Sequence, residues 1–149
     1  MDGQEHPVIS MTDGETIKQY EKITVNLPAV DLGKIDYLVE QGFYNTRTEF
    51  IRTAIKNEID KNSFVFDKIS REISEDDKFI FAIGVYNLSR EILEKYLSLG
   101  KKAKIFVVGM CYLSKDIEIN LVSKTVESFR VYGIKKGPKD IMEYLKNLK

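Results

Sequence analysis

Side chains that commonly carry out catalysis or hold metal ions are scarce in this 149-residue chain. It has one histidine, His6, in a polar segment, and one cysteine, Cys111, in the apolar run IFVVGMCYL. These two residues cannot supply the ligands of a transition-metal site or a nucleophile together with its base. We therefore predict no enzymatic activity, no catalytic residue, no metal site and no cofactor. Cys111 is expected to be a small buried hydrophobic residue.

Three hydrogen-bonding side chains instead recur at every second position of one short stretch. In KITVNLP, residues 22–28, Lys22, Thr24 and Asn26 alternate with aliphatic residues before a proline ends the pattern. Strict alternation predicts a half-buried strand whose polar side chains share the exposed face. No second strand pattern follows within the next thirty or so residues.

Two predicted helices follow this strand. In AVDLGKIDYLVEQG, the apolar residues form one helical stripe that ends at Gly42, and Pro28 suits the start of the helix. Thr46 followed by Glu49 has the spacing of a capping box and predicts the start of a second helix. Two helices of this length cannot pair the backbone of a lone strand, whereas the same strand of a second copy can. An antiparallel two-stranded ribbon between two chains is the expected result.

The ordered set of KITVNLP, an apolar helix and GFYNTRTEFIRTAI resembles the ribbon-helix-helix (MetJ/Arc/CopG-like) DNA-binding proteins over residues 21–61. The resemblance implies a homodimer whose ribbon enters the major groove of double-stranded DNA. It maps the base-contacting positions onto Lys22, Thr24 and Asn26. It maps the phosphate-contacting positions onto Thr46, Arg47 and Thr48, at the start of the second helix. The alternative for the ribbon residues is that they are polar side chains that only face solvent. The alternative for Thr46 and Glu49 is that they only cap the second helix.

Charge is balanced, with 23 basic and 23 acidic residues, and no segment is strongly basic. Residues 1–19 look like a flexible acidic arm to which no structure is assigned. Because residues 20–61 carry six basic against seven acidic side chains, affinity is expected to depend on pairs of dimers at tandem sites or on help from the second half. No apolar run is long enough for a membrane span and no secretory signal is present, so the protein is expected to be cytoplasmic with no membrane partner.

The second half, residues 63–149, contains a repeating pattern. FAIG, FVVG and RVYG place Gly84, Gly109 and Gly133 at intervals of 25 and 24 residues. Helix starts are predicted at the four Ser or Pro residues that open a second shared pattern: Ser70, Ser89, Ser114 and Pro138. We interpret this as strand-helix units with their strands stacked in parallel, a small leucine-rich-repeat-like α/β domain. A compact βαβαβα domain, including an ACT-like one, is the alternative. The expected fold class is α+β: a ribbon-helix-helix module over residues 20–62, followed by this domain.

The leading functional hypothesis is a homodimeric, sequence-specific transcriptional regulator, and the sequence does not indicate whether it represses or activates. The alternatives are a dimeric adaptor, or an antitoxin, whose second half binds a partner protein. That half has only Cys111 among the ligands that nickel-responsive relatives use, so nickel sensing is not expected. Its basic residues from Lys101 onward are interpreted as a solvated rim. The operator, any effector and any assembly beyond a dimer are not encoded in a readable pattern.

Overall fold

The computed structural model describes residues 8–10, 16–18 and 20–148. The chain divides into two compact units, residues 1–64 and 65–149. The sequence predicts no structure for residues 1–19, but Val8–Ser10 (β1) pairs antiparallel with Thr16–Lys18 (β2). Segments of three residues are too short to be recognised as strands from sequence. His6 and the rest of the arm lie outside the described residues.

The two helices of the first unit begin and end where the sequence predicts. The first, α1, spans Ala29–Glu40, and the second, α2, spans Arg47–Lys61. Gly42 takes a φ of 81° after α1, a conformation that favours glycine. Its N–H bonds to the carbonyl of Val39 at 3.0 Å, and the N–H of Phe43 bonds to that of Leu38 at 3.0 Å. These two bonds form a Schellman motif, which satisfies carbonyls at the end of α1.

Residues 20–28 form neither a helix nor a paired strand in the single chain. The two sheets of the described structure are β1-β2 and a three-stranded sheet in the second unit, and neither includes this stretch. The strand predicted over residues 22–27 is therefore unpaired here. A strand is defined by the backbone bonds it makes to a neighbour, and no neighbour is present in the described part of one chain.

The second unit contains three parallel strands in sequence order. Helix α3 (Ser63–Ser74) is followed by β3 (Phe79–Leu88), α4 (Arg90–Ser98), β4 (Ala103–Leu113), α5 (Ile119–Thr125), β5 (Val126–Lys136) and α6 (Lys139–Lys146). Strand β4 lies between β3 and β5. Alternate strand residues pack with residues of α4, α5 and α6 in one buried cluster that includes Ile105, Val107, Leu93, Val122 and Ile141. The helices therefore cover one face of the sheet. No helix in the described part of the chain is long and apolar enough to cross a membrane.

Only two of the four predicted helix starts in this half fall at helix caps. Ser89 caps α4, with its hydroxyl accepting a bond from the Ile92 N–H at 3.4 Å, and Pro138 precedes α6. Ser70 lies inside α3, and Ser114 precedes a turn, because α5 starts only at Ile119. Cys111 is fully buried, as predicted, and burial raises the pKa of its thiol to about 12.

The three repeated glycines pair with one another across the sheet. Gly84 is opposite Gly109, and Gly109 is opposite Gly133. All three have φ between 119° and 133°, where other residues are strained. A Cβ on Gly109 would overlap the carbonyl oxygen of Gly84, and one on Gly133 would overlap that of Gly109. The repeat thus reflects a close approach of backbones, which only glycine permits.

We expect Gly109→Ala to destabilise the second unit more than Gly84→Ala does. Both substitutions place a Cβ at positive φ, which costs about 1–3 kcal/mol. Only Gly109→Ala adds a clash with a neighbouring backbone, because nothing lies within 4 Å of a Cβ on Gly84. Urea unfolding followed by circular dichroism measures the difference in free energy of unfolding. Equal losses for the two variants would contradict the close-approach account.

Candidate nucleic-acid interface

The polar residues expected to contact bases precede α1. Lys22, Thr24 and Asn26 are all exposed. The aliphatic residues between them are exposed as well, with Ile23 at 72%, Val25 at 66% and Leu27 at 43%. A strand of one sheet would bury one of these faces, and in the single chain neither is buried.

The first unit has very little core of its own. Among residues 20–64, Ile35 is the only buried hydrophobic side chain. Further large apolar residues of both helices and their connection remain exposed: Val30, Tyr37, Phe43, Ile51, Ile55 and Ile59. Burial of one side chain cannot offset the conformational entropy of ordering two helices and a strand. This unit therefore has an apolar surface that must be buried against another surface for the unit to be stable.

The start of α2 has the predicted cap with one difference. The Thr46 hydroxyl accepts a bond from the Glu49 N–H at 3.0 Å. The Glu49 carboxylate accepts a bond from the Asn45 N–H at 2.6 Å and not from that of Thr46. The backbone N–H groups of Arg47 and Thr48 have no acceptor within the described part of the chain. At the positive end of the helix dipole, they are available to an anion.

Arg47 makes an ion pair that the sequence gave no signal for. Its Nε and Nη2 atoms donate to the two carboxylate oxygens of Asp36 in α1, at 2.5 and 2.7 Å. The hydrogen bonds to Arg47 lower the pKa of Asp36, and those same bonds raise the pKa of Arg47. Asp36 is ionised at neutral pH, so the pair is intact there, and its lowered pKa extends the pair into more acidic solution. Both side chains are about half exposed, so water and salt screen the attraction.

A second arginine of α2 lies against an aromatic residue before the ribbon stretch. The guanidinium carbon of Arg52 is 5.9 Å from the centre of the Tyr20 ring, within the range of a cation-π contact. The contact links Tyr20, which lies two residues before the stretch 22–27, to helix α2. Sequence spacing does not predict it, because the partners are 32 positions apart.

The structure brings some of the predicted site residues together and leaves others separate. Thr46, Arg47 and Thr48 lie consecutively at the start of α2, beside Asp36. No hydrogen bond or ion pair within the described chain joins this group to Lys22, Thr24 or Asn26. Nor do the described residues contain a cluster of histidine, cysteine and carboxylate side chains that could hold a metal ion.

Comparison with known proteins decides the family. The sequence pattern of the Ribbon-Helix-Helix transcriptional regulator family matches residues 18–142. The chain belongs to that family. The match continues far beyond residues 21–61 into α6, so the strand-helix unit is part of the shared sequence pattern. Proteins of this family are DNA-binding transcriptional regulators, they act as dimers and they are generally not enzymes. No curated protein and no solved structure matches the chain.

Proposed function

We propose that this chain is a homodimeric, sequence-specific transcriptional regulator that reads DNA with a ribbon made from residues 22–27 of two copies. The observation that carries the proposal is the unpaired stretch with both faces exposed, next to helices that bury one apolar side chain. A second copy supplies the missing strand and covers Ile23, Val25 and Leu27. The apolar residues left exposed on α1 and α2 then form the core between the two chains.

In such a ribbon, Lys22, Thr24 and Asn26 of both chains face away from the helices. Each has the chemistry of a major-groove contact: lysine donates to guanine O6 and N7, asparagine pairs with adenine N6 and N7, and threonine bonds or touches a thymine methyl. The family supports this mapping, because the stretch lies inside the matched residues. Six side chains, three from each copy, then read one site.

We further propose that the start of α2 holds a DNA phosphate. The N–H groups of Arg47 and Thr48 would donate to it, and the Thr46 cap keeps them in position. Arg47 would contribute its charge only after leaving Asp36. The ion pair therefore competes with the phosphate and weakens binding to all sequences alike. The first unit has little basic charge, and the ion pair reduces its attraction to phosphates further. Specificity would then depend on the ribbon.

Asp36→Asn is expected to strengthen DNA binding several-fold, by a similar factor for specific and non-specific duplexes. The substitution removes the carboxylate that holds Arg47 and leaves the shape of the side chain unchanged. Fluorescence anisotropy with labelled duplexes measures both affinities. Asp31→Asn is the matched control, since it removes the same charge from the first turn of α1. An equal gain in the two variants would mean that general charge, and not the ion pair, limits binding.

Selection of duplexes from a random DNA pool tests the proposed function. A ribbon dimer should enrich a two-fold symmetric or tandem-repeat motif, and binding to that motif should weaken as salt rises. An adaptor or antitoxin that uses the ribbon only to dimerise should enrich no motif. A folded dimer with no DNA binding at low salt would contradict the regulator and favour the adaptor.

We propose a supporting role in interaction for the second unit, residues 65–149. Its three parallel strands follow in sequence order, and its repeated glycines pair across them. Both features favour a leucine-rich-repeat-like stack rather than a ligand-sensing ACT-like domain. The sheet face away from α4, α5 and α6 carries a row of rings, with Phe106 at 5.8 Å from Phe81 and 5.5 Å from Tyr132 between ring centres. Phe106 is buried but Tyr132 is 59% exposed, so the β5 side of this face can contact a partner protein.

A further inference from the structure

The two edges of the three-stranded sheet differ in their protection. Strand β5 carries Glu127, Arg130, Lys135 and Lys136, and charged residues are the usual means of preventing an edge from pairing with another chain. Strand β3, with the sequence FIFAIGVYNL, has ten residues and no charge or proline. An edge strand of this length without such residues normally pairs with something.

The middle of β3 is open to solvent. Ile83 is 56% exposed, Val85 is 48% exposed and Gly84 between them is exposed as well. At Gly109 and Gly133, the place of a Cβ is occupied by the backbone of the preceding strand. At Gly84, no other atom lies within 4 Å of the corresponding Cβ position. The outer side of β3 thus has room for another backbone at the point where its apolar side chains are most exposed.

We propose that β3 pairs edge to edge, in antiparallel orientation, with β3 of a second copy of this chain. A two-fold symmetric contact places a strand against itself, so an uncharged edge meets an uncharged edge. Strand β5 of another copy is the poorer partner, because its charged residues would lie alongside Ile83 and Val85. The proposal rests on the proposed homodimer in one respect. The ribbon holds two copies together, which raises the effective concentration of one β3 edge near the other. The proposal does not depend on DNA binding.

Pairing of this kind gives the outward N–H and C=O groups of β3 their partners. It also covers Ile83 and Val85, and it produces a continuous six-stranded sheet from two second units. The ribbon and the β3 edge are then separate contacts between copies, one in each unit. A substitution at the β3 edge therefore leaves the residues of the ribbon unchanged.

A thiol cross-linking experiment on the full-length chain tests this contact. Ile83→Cys and Tyr132→Cys lie in one cross-strand row at opposite edges, with Val108 between them, and the native residues are 56% and 59% exposed. Cys111 is fully buried with a raised pKa, so it stays unreactive. Treatment of dilute protein with a short bis-maleimide should link most Ile83→Cys chains in pairs and leave Tyr132→Cys chains unlinked.

A lysine at the same edge provides the second arm. Val85→Lys, added to Ile83→Cys, should abolish the cross-link while thermal unfolding of the second unit is unchanged. Equal cross-linking at positions 83 and 132 would overturn the proposal, because it would reflect random collision. A dimer by light scattering with no cross-link at position 83 would overturn this inference alone, since the edge would then be free or reserved for another protein. A monomer would overturn the proposed homodimer as well.

Discussion

Replacing Lys22 and Asn26 with alanine is expected to abolish selective DNA binding while the chain remains a folded dimer. A paired contact to a base edge contributes about 1–3 kcal/mol of discrimination. Since both copies lose Asn26, discrimination should fall by at least about 2 kcal/mol, or roughly thirty-fold, before the loss of Lys22 is added. Competition binding with selected and scrambled duplexes measures the change.

Non-specific binding should weaken much less in this variant, because the proposed phosphate contacts at the start of α2 would remain. Arg47→Ala is the complementary variant and should weaken all sequences about equally. Unchanged selectivity after loss of Lys22 and Asn26 would show that these side chains merely face solvent. Light scattering and circular dichroism on the same samples confirm that the dimer is intact.

Val25→Asp is expected to separate the dimer and to unfold residues 20–61. Burial of a valine contributes about 1.5–3 kcal/mol, and both copies lose it at once. The carboxylate adds the cost of entering an apolar interface without a partner. We expect the dissociation constant of the dimer to rise by at least about a hundred-fold. Because Ile35 is the only buried apolar side chain among residues 20–64, helix content should fall together with dimerisation.

Thr24→Asp is the matched control for that experiment. It introduces the same carboxylate one residue away, on the opposite face of the predicted ribbon. The dimer should persist, and DNA binding should be lost through repulsion from the phosphates. Analytical ultracentrifugation over a range of protein concentrations distinguishes the two variants. Equal effects on dimerisation would mean that the two faces of residues 22–27 are not distinct.

Local signals in the sequence were sufficient for the helices of the first unit. The stop at Gly42 and the cap at Thr46 each depend on residues within one turn of the helix end, and the structure confirms both. The strand predicted over residues 22–27 would need a partner strand, and none lies beside it in the described part of the chain. The β1-β2 pair was missed because its strands are three residues long and give no measurable period.

Contacts between distant residues were the hardest to predict. The repeated glycines indicated parallel stacking, but only the structure shows that they pair with each other and that their Cβ positions are taken by backbone. The Arg47–Asp36 pair joins two helices whose relative rotation no periodicity reveals. Ser114 has a good capping side chain, yet α5 begins five residues later, because the chain first turns after β4.

Pairing of residues 22–27 between two copies is the claim on which the rest depends. Isotope-filtered nuclear Overhauser spectra of a dimer mixed from labelled and unlabelled chains measure it directly. Antiparallel strands place opposite Cα atoms about 4.5–5.5 Å apart, so intermolecular cross-peaks should connect residues 22–27 of one chain with the same residues of the other. Cross-peaks from this stretch only to the second unit of its own chain, or none at all, would contradict the account.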